Sequence, residues 1–128
     1  MKYLIDTHTL IWFVENDSKL PPATSSIISN LQNSIFVSMA SLWEISIKTS
    51  IGKLKLNQPV QSIFNCLPLQ SIEVLPINQD HILEILSLSF HHRDPFDRLI
   101  IAQASIENMP IISCDTIFDS YPIVRIWQ

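Results

Sequence analysis

The chain has 128 residues, a mean hydropathy of +0.25 and a net charge of −4, with twelve acids against eight bases. We expect a single domain, residues 1–128, that buries a core of its own, and no apolar run approaches the ~20 residues that span a bilayer. The acidic balance is only a weak argument against a nucleic-acid binder, which is usually basic, and the distribution of the acids changes it. An acid at position 6 comes too early for the apolar region of a signal peptide, so we expect a cytoplasmic protein.

Short apolar runs predict five β-strands, at residues 2–5, 35–37, 73–77, 111–114 and 123–126. Helices are predicted between them, at residues 10–14, 23–31, 39–51, 59–67, 80–89 and 95–107, although periodicity does not exclude a strand for the first, short run. Gly52, the only glycine, fits the left-handed end of the third helix. Strands that alternate with helices pair in parallel through right-handed crossovers, so the predicted fold class is α/β with a sheet covered on both faces.

The stretch from Asp94 to Arg98 has the pattern of a helix start. Asp94 occupies the N-cap position, where its carboxylate can accept hydrogen bonds from the free N–H groups of the first turn. Pro95 follows at the first helical position, where its missing N–H is not needed. Asp97 then lies in the first turn, near the positive end of the helix dipole. Either acid could serve only to begin the helix, and for Asp94 this alternative stays open.

The acid excess is concentrated in a few residues. Asp6 and Asp115 directly follow predicted strands, and in parallel sheets the carboxyl ends of the strands form the ligand-binding edge. Asp97 begins a helix, and Glu44 lies in the second turn of another, where its alternative role is a surface ion pair with Lys48 four residues on. Without Asp6, Glu44, Asp94, Asp97 and Asp115, seven acids remain against eight bases, so the acid excess of the chain resides in these five residues.

Carboxylates gathered in one pocket raise one another's pKa unless a cation neutralises them. Hard divalent ions, Mg²⁺ or Mn²⁺, suit oxygen ligands, and such ions can activate a water and stabilise both oxygens of a phosphodiester displacement. The residue pattern therefore favours a metal-dependent nuclease.

Other sites fit the sequence less well. A single glycine excludes glycine-rich phosphate loops, and no serine stands on a glycine-flanked elbow. A phosphoaspartyl hydrolase needs an acid two residues after Asp6, where the chain has His8. The histidines lack zinc-site spacing, so we expect His91 and His92 to be a surface pair and His8 a polar residue at a strand end. Cys66 and Cys114 are expected to be buried free thiols.

Four segments together resemble PIN-domain proteins, in the subgroup of VapC-like toxins of bacterial type II toxin–antitoxin systems: residues 4–8, 41–48, 92–99 and 113–115. The resemblance implies a three-layer α/β/α fold with a central, mainly parallel sheet of about five strands. It implies a Mg²⁺-dependent endoribonuclease, a hydrolase of RNA phosphodiester bonds. It also implies a VapB-like antitoxin partner that covers the acidic pocket, a toxin homodimer and toxin–antitoxin hetero-oligomers.

By this resemblance, the catalytic and metal-binding quartet is Asp6, Glu44, Asp97 and Asp115. Asp97 rather than Asp94 matches, because Ala102 and Ala104 follow it at the family's helical spacing, and Asp94 becomes a cap or an outer acid. Ser113 stands where the family usually has Thr.

The remaining assignments concern supporting residues. Glu44 is expected to orient or deprotonate the attacking water, while Thr7 and Ser113 hydrogen-bond the acids. Arg98 and Lys48 could contact the scissile phosphate or pair with the carboxylates, and both alternatives stay open. The sequence also fits a PIN-type RNA-processing nuclease that is not a toxin, or a non-catalytic module whose acids bind a basic peptide. The sequence has no patch of aromatic and basic residues that reads bases, so neither the RNA nor the cut site can be predicted from it.

Overall fold

The computed structural model describes residues 1–128 and has five parallel strands in the order β3-β2-β1-β4-β5. The strands are β1 Lys2–Ile5, β2 Ser34–Ser38, β3 Ile72–Leu75, β4 Ile111–Ile112 and β5 Arg125–Ile126. All five predicted strands are present. The third ends two residues early, before Pro76, because proline cannot donate to a strand ladder.

Six helices connect the strands: α1 Thr7–Val14, α2 Pro22–Ser29, α3 Met39–Ser50, α4 Val60–Cys66, α5 Gln79–Glu84 and α6 Pro95–Glu107. Three 3₁₀ segments follow α4, α5 and β4, at Pro68–Gln70, Ile85–Ser87 and Thr116–Ser120. The ambiguous first run is a helix, and it begins at Thr7 because the Asp6 carboxylate accepts from the Thr9 N–H and caps it. None of the helices combines the length and the apolar character needed to cross a membrane.

The sheet is covered on both faces, as the sequence predicts. Ile5 and Val37 face a core formed with α1, α2, α3 and α4. Leu4, the neighbour of Ile5, faces a second core with Ile100 and Ile101 of α6, against which α5 packs. Because successive strand residues point to opposite faces, the central strand β1 is buried on both sides and reads as a continuous apolar run. The architecture is therefore the expected three-layer α/β/α fold.

Local signals at two helix ends are confirmed. The Asp94 carboxylate accepts from the N–H groups of Phe96 and Asp97, at 2.8 and 3.3 Å, and Pro95 is the first residue of α6. Gly52 follows the last turn of α3 with a φ of +74°, a conformation that glycine adopts without strain. The first of these caps places Asp97 at the edge of the sheet where the parallel strands end.

The prediction for the cysteines is only partly right. Both are free thiols, but Cys66 is half-buried and Cys114 is exposed. Cys114 lies beyond the end of β4, where the chain has already left the sheet.

Candidate active site

The five acids singled out in the sequence surround one point at the carboxyl edge of the sheet. Asp6 follows β1, Glu44 projects from α3, and Asp115 follows β4. The pKa of Asp97 depends on all the others. Burial of Asp97, together with the charges of Asp94, Glu44, Asp6 and Asp115, raises this pKa from the ordinary 3.8 to about 7. Ligand atoms of Asp97 and Asp115 lie within 4.8 Å of one another, and the other three acids are close enough to act on the pKa of Asp97, so the structure brings the predicted acids together in one pocket.

Asp6 is held rigidly and is almost completely buried. Its Oδ1 accepts from the Thr9 N–H at 3.0 Å, and its Oδ2 accepts from the Ser113 hydroxyl at 2.5 Å. Burial raises the pKa of Asp6 in spite of these hydrogen bonds. Ser113 Oγ also accepts from the Asp115 N–H at 3.0 Å, so this one hydroxyl joins the acids that follow β1 and β4.

Glu44 does pair with Lys48, as its alternative role predicted, but Glu44 is only 3% exposed and the pair is not a surface one. The Thr7 hydroxyl donates to Glu44 Oε1 at 2.6 Å, and Lys48 Nζ lies 2.5 Å from Oε2. Lys48 also approaches Asp94 Oδ2 at 4.0 Å. Burial, which by itself would lower the pKa of Lys48, is outweighed by Glu44 and the other acids, and the net shift is upward. Of the two alternatives for Lys48, the structure has the carboxylate pair.

Asp115 has a partner that the sequence did not reveal. Its Oδ1 accepts from the Ile117 N–H at 3.0 Å, while its Oδ2 lies 3.0 Å from Nε2 of His92. His92 is only 7% exposed, so the predicted surface histidine pair is wrong for this residue and right for His91. Ligand atoms of His92, Asp97 and Asp115 lie within 4.8 Å of one another.

Arg98 fulfils neither of its predicted roles. Its guanidinium donates to the backbone carbonyls of Ile85, Ser89 and His92, at 3.3, 3.2 and 3.4 Å, and lies over the Phe90 ring. Helical geometry turns Arg98 about 100° from its neighbour Asp97, away from the pocket and toward the preceding loop. At 8% exposure, it is a structural residue that fixes residues 85–92.

The PIN domain family matches residues 3–124, which is nearly the whole chain. The chain belongs to the PIN-domain family. A search of curated protein sequences finds no significant match.

Solved structures share the fold of this PIN domain. VapBC2 from Rickettsia felis, solved with a DNA fragment from its promoter, is 18% identical with a TM-score of 0.74, covering 100% of both chains. VapBC-1 from nontypeable Haemophilus influenzae is 18% identical with a TM-score of 0.67, covering 98% of this chain and 97% of the other. A toxin-antitoxin complex from Klebsiella pneumoniae is 16% identical with a TM-score of 0.58, covering 97% and 95%.

The donor set of this PIN domain fits a divalent cation. Five carboxylates share the pocket, and Lys48, which pairs with Glu44 and Asp94, is the cation bound among them. Burial, and then the charges of the four neighbouring carboxylates, raise the pKa of Asp97 to about 7. Carboxylate oxygens are the ligands that hard divalent ions prefer, and such an ion would remove the repulsion that raises this pKa.

Proposed function

We propose that this PIN domain is a divalent-metal-dependent endoribonuclease and the toxin component of a type II toxin–antitoxin module. The observation that carries the proposal is the arrangement of acids at the carboxyl edge of the sheet, where ligand atoms of His92, Asp97 and Asp115 lie within 4.8 Å of one another. Burial and the neighbouring carboxylates also raise the pKa of Asp97 to about 7. A structural carboxylate cluster would be paired with lysines and arginines, whereas this one holds a surplus of negative charge. Such a surplus favours a cation-binding site.

Asp6, Asp97 and Asp115 are the residues that would hold one or two Mg²⁺ ions, with Mn²⁺ as a substitute. When bound, such a cation lowers the pKa of a coordinated water and neutralises charge on a phosphodiester. Glu44 would orient or deprotonate the attacking water, since it is held in the pocket by Thr7 and Lys48. Lys48 Nζ donates to Glu44 Oε2 and so fixes the direction of this carboxylate. Ser113 fixes the orientation of the Asp6 carboxylate.

The toxin assignment is supported by the full-length similarity to VapBC complexes and to a complex described as toxin-antitoxin. The expected partner is a VapB-like antitoxin that covers the pocket, and the acidic charge of the pocket predicts that the covering segment is basic. We also expect a homodimer and toxin–antitoxin hetero-oligomers. The substrate is RNA.

Expression in bacteria tests the toxin proposal. The wild-type chain should arrest growth, and co-expression of the protein encoded beside it should restore growth. Asp97→Asn should abolish the arrest, because it removes a pocket carboxylate without changing the shape of the side chain. Asp80→Asn is the matched control: Asp80 also lies in the first turn of a helix, but it is exposed and outside the pocket.

The outcomes separate the alternatives. Arrest by the wild type and by Asp80→Asn but not by Asp97→Asn supports the proposal. Normal growth together with metal-dependent RNA cleavage by the purified protein would refute the toxin role and favour an RNA-processing nuclease. Binding of the partner without any cleavage would refute the enzyme and favour a binding module.

A further inference from the structure

His92 lies in the loop before α6, and hydrogen bonds to its backbone N–H and to its backbone carbonyl hold it in one position. The N–H groups of His91 and His92 donate to Tyr121 Oη, at 3.2 and 2.8 Å. The carbonyl of His92 accepts from the Arg98 guanidinium. The imidazole packs between Phe118, with ring centroids 4.9 Å apart, and Tyr121, at 5.5 Å and nearly parallel. The His92 ring is therefore fixed against the loop that carries Asp115.

The hydrogen-bond pattern determines which imidazole nitrogen carries the proton. Tyr121 Oη accepts two backbone N–H groups, which uses both of its acceptor sites. Its own hydrogen is directed to His92 Nδ1, at 3.2 Å, so that Nδ1 is an acceptor. The ring proton is then on Nε2, and Nε2–H donates to Asp115 Oδ2 at 3.0 Å.

We propose that His92 is a positioning residue, which Tyr121 holds with its proton on Nε2 and which in turn holds the Asp115 carboxylate in place for the cation. The inference rests on the proposed function and assigns a role to the histidine that begins the segment of residues 92–99. The Ile117 N–H donates to Asp115 Oδ1 and the His92 Nε2–H donates to Asp115 Oδ2, so the orientation of the Asp115 carboxylate is fixed. Hydrogen bonds of this kind to a metal ligand typically change metal affinity by about 10- to 100-fold.

The protonated nitrogen distinguishes this role from direct coordination. A ring nitrogen of His92 lies within 4.8 Å of ligand atoms of Asp97 and Asp115, so the ring could also be a ligand. A ligand nitrogen must be free of its proton. In the positioning role, Nε2 keeps its proton when the cation binds.

The tautomer is measured directly by ¹⁵N–¹H spectroscopy of the histidine rings in the full chain, first without metal and then with Mg²⁺. The His92→Gln spectrum, which lacks one set of ring signals, assigns those of His92. We expect a protonated Nε2 and an unprotonated Nδ1 in both states. A proton on Nδ1, or loss of the Nε2 proton when Mg²⁺ is added, would overturn the inference.

The energetic effect is measured as Mn²⁺ affinity, from the free-ion signal in electron paramagnetic resonance. His92→Phe keeps the aromatic packing but has no donor, and should weaken Mn²⁺ binding about 10-fold or more. His92→Gln keeps a side-chain N–H donor and should recover most of the affinity. Tyr121→Phe removes the hydroxyl that sets the tautomer and should fall between the two. The matched control is His91→Phe, which should bind as wild type because the His91 ring contacts Tyr121 and no carboxylate.

Equal Mn²⁺ affinity in wild type and His92→Phe would refute the positioning role, as would equal losses in His92→Phe and His92→Gln. Thermal melts verify that each variant is folded, and the tautomer measurement on the wild type does not depend on any variant's stability. A wild-type protein that binds no Mn²⁺ would refute the proposed function. The tautomer, measured without metal, would still decide whether His92 donates to Asp115.

Discussion

The pocket should make the metal-free protein less stable at neutral pH, and Asp97→Asn should relieve this cost. Burial and four neighbouring carboxylates raise the pKa of Asp97 from 3.8 to about 7. A raised pKa means that the folded state binds the proton more tightly than the unfolded state, so stability is present below about pH 4 and is lost as the pH rises through 7. The raised pKa of Asp6 acts in the same direction.

The size of the effect follows from the same values. The difference between 3.8 and about 7 is worth ~4 kcal/mol at ~1.4 kcal/mol for each tenfold change in proton affinity. Because Asp97 is only half-buried, solvent screening reduces this to about 1–2 kcal/mol. Removing a carboxylate from the first helical turn costs about 0.3–1 kcal/mol and offsets part of the gain. Relief of the repulsion therefore outweighs the lost interaction with the helix dipole.

Urea unfolding in the presence of EDTA measures this difference. At pH 8 the Asp97→Asn variant should be more stable than wild type by about 1 kcal/mol, and at pH 4, where Asp97 is largely protonated, the two should converge. Asp80→Asn also removes a carboxylate from a first helical turn, so it should be less stable than wild type at pH 8 by about 0.3–1 kcal/mol, the opposite sign to Asp97→Asn. An Asp97→Asn variant that is less stable than wild type at pH 8, or a difference for this variant that does not change with pH, would refute the electrostatic reasoning.

Three further predictions concern the cation, the loop and the helix cap. Millimolar Mg²⁺ or Mn²⁺ should raise the Tm of wild type but not of Asp97→Asn, since a ligand at 100 times its Kd stabilises the folded state by ~2.7 kcal/mol. Scanning fluorimetry measures this Tm, and the absence of a shift in wild type would count against the site. Arg98→Ala should destabilise the fold by about 2–4 kcal/mol in urea unfolding, because three backbone carbonyls lose their donor and a buried side chain is truncated. A neutral effect would contradict the structural role. Asp94→Ala should cost ~1 kcal/mol of stability as a lost cap, and a cleavage loss as large as that of Asp97→Asn would instead make Asp94 a metal ligand.

Much of the fold could be predicted because its signals are local. The apolar runs of the strands and the Asp94-Pro95 cap depend on neighbouring residues only. The gathering of the acids also followed from sequence, since parallel strands place their carboxyl ends on one edge. Asp6 directly follows β1, and Asp115 lies three residues beyond the end of the neighbouring strand β4, so the topology brought them to the same edge.

The contacts that sequence reasoning missed join distant or irregular backbone. His92 and Asp115 are 23 residues apart, and their hydrogen bond depends on a loop conformation that no periodicity describes. Arg98 is bound to carbonyls between 6 and 13 residues upstream, in a segment without regular helix or strand for most of its length. His81 was predicted only as part of a helix, yet it is buried and lies 2.8 Å from Glu107 of α6. Such pairs become visible only once tertiary packing is known.

Cleavage of total RNA by the purified protein tests the central claim most directly, with wild type in Mg²⁺, wild type in EDTA, and Asp97→Asn in Mg²⁺. We predict cleavage only in the first reaction, with Asp80→Asn as active as wild type. Cleavage that persists in EDTA, or that Asp97→Asn retains in full, would contradict the conclusion that these carboxylates form a metal-dependent nuclease site.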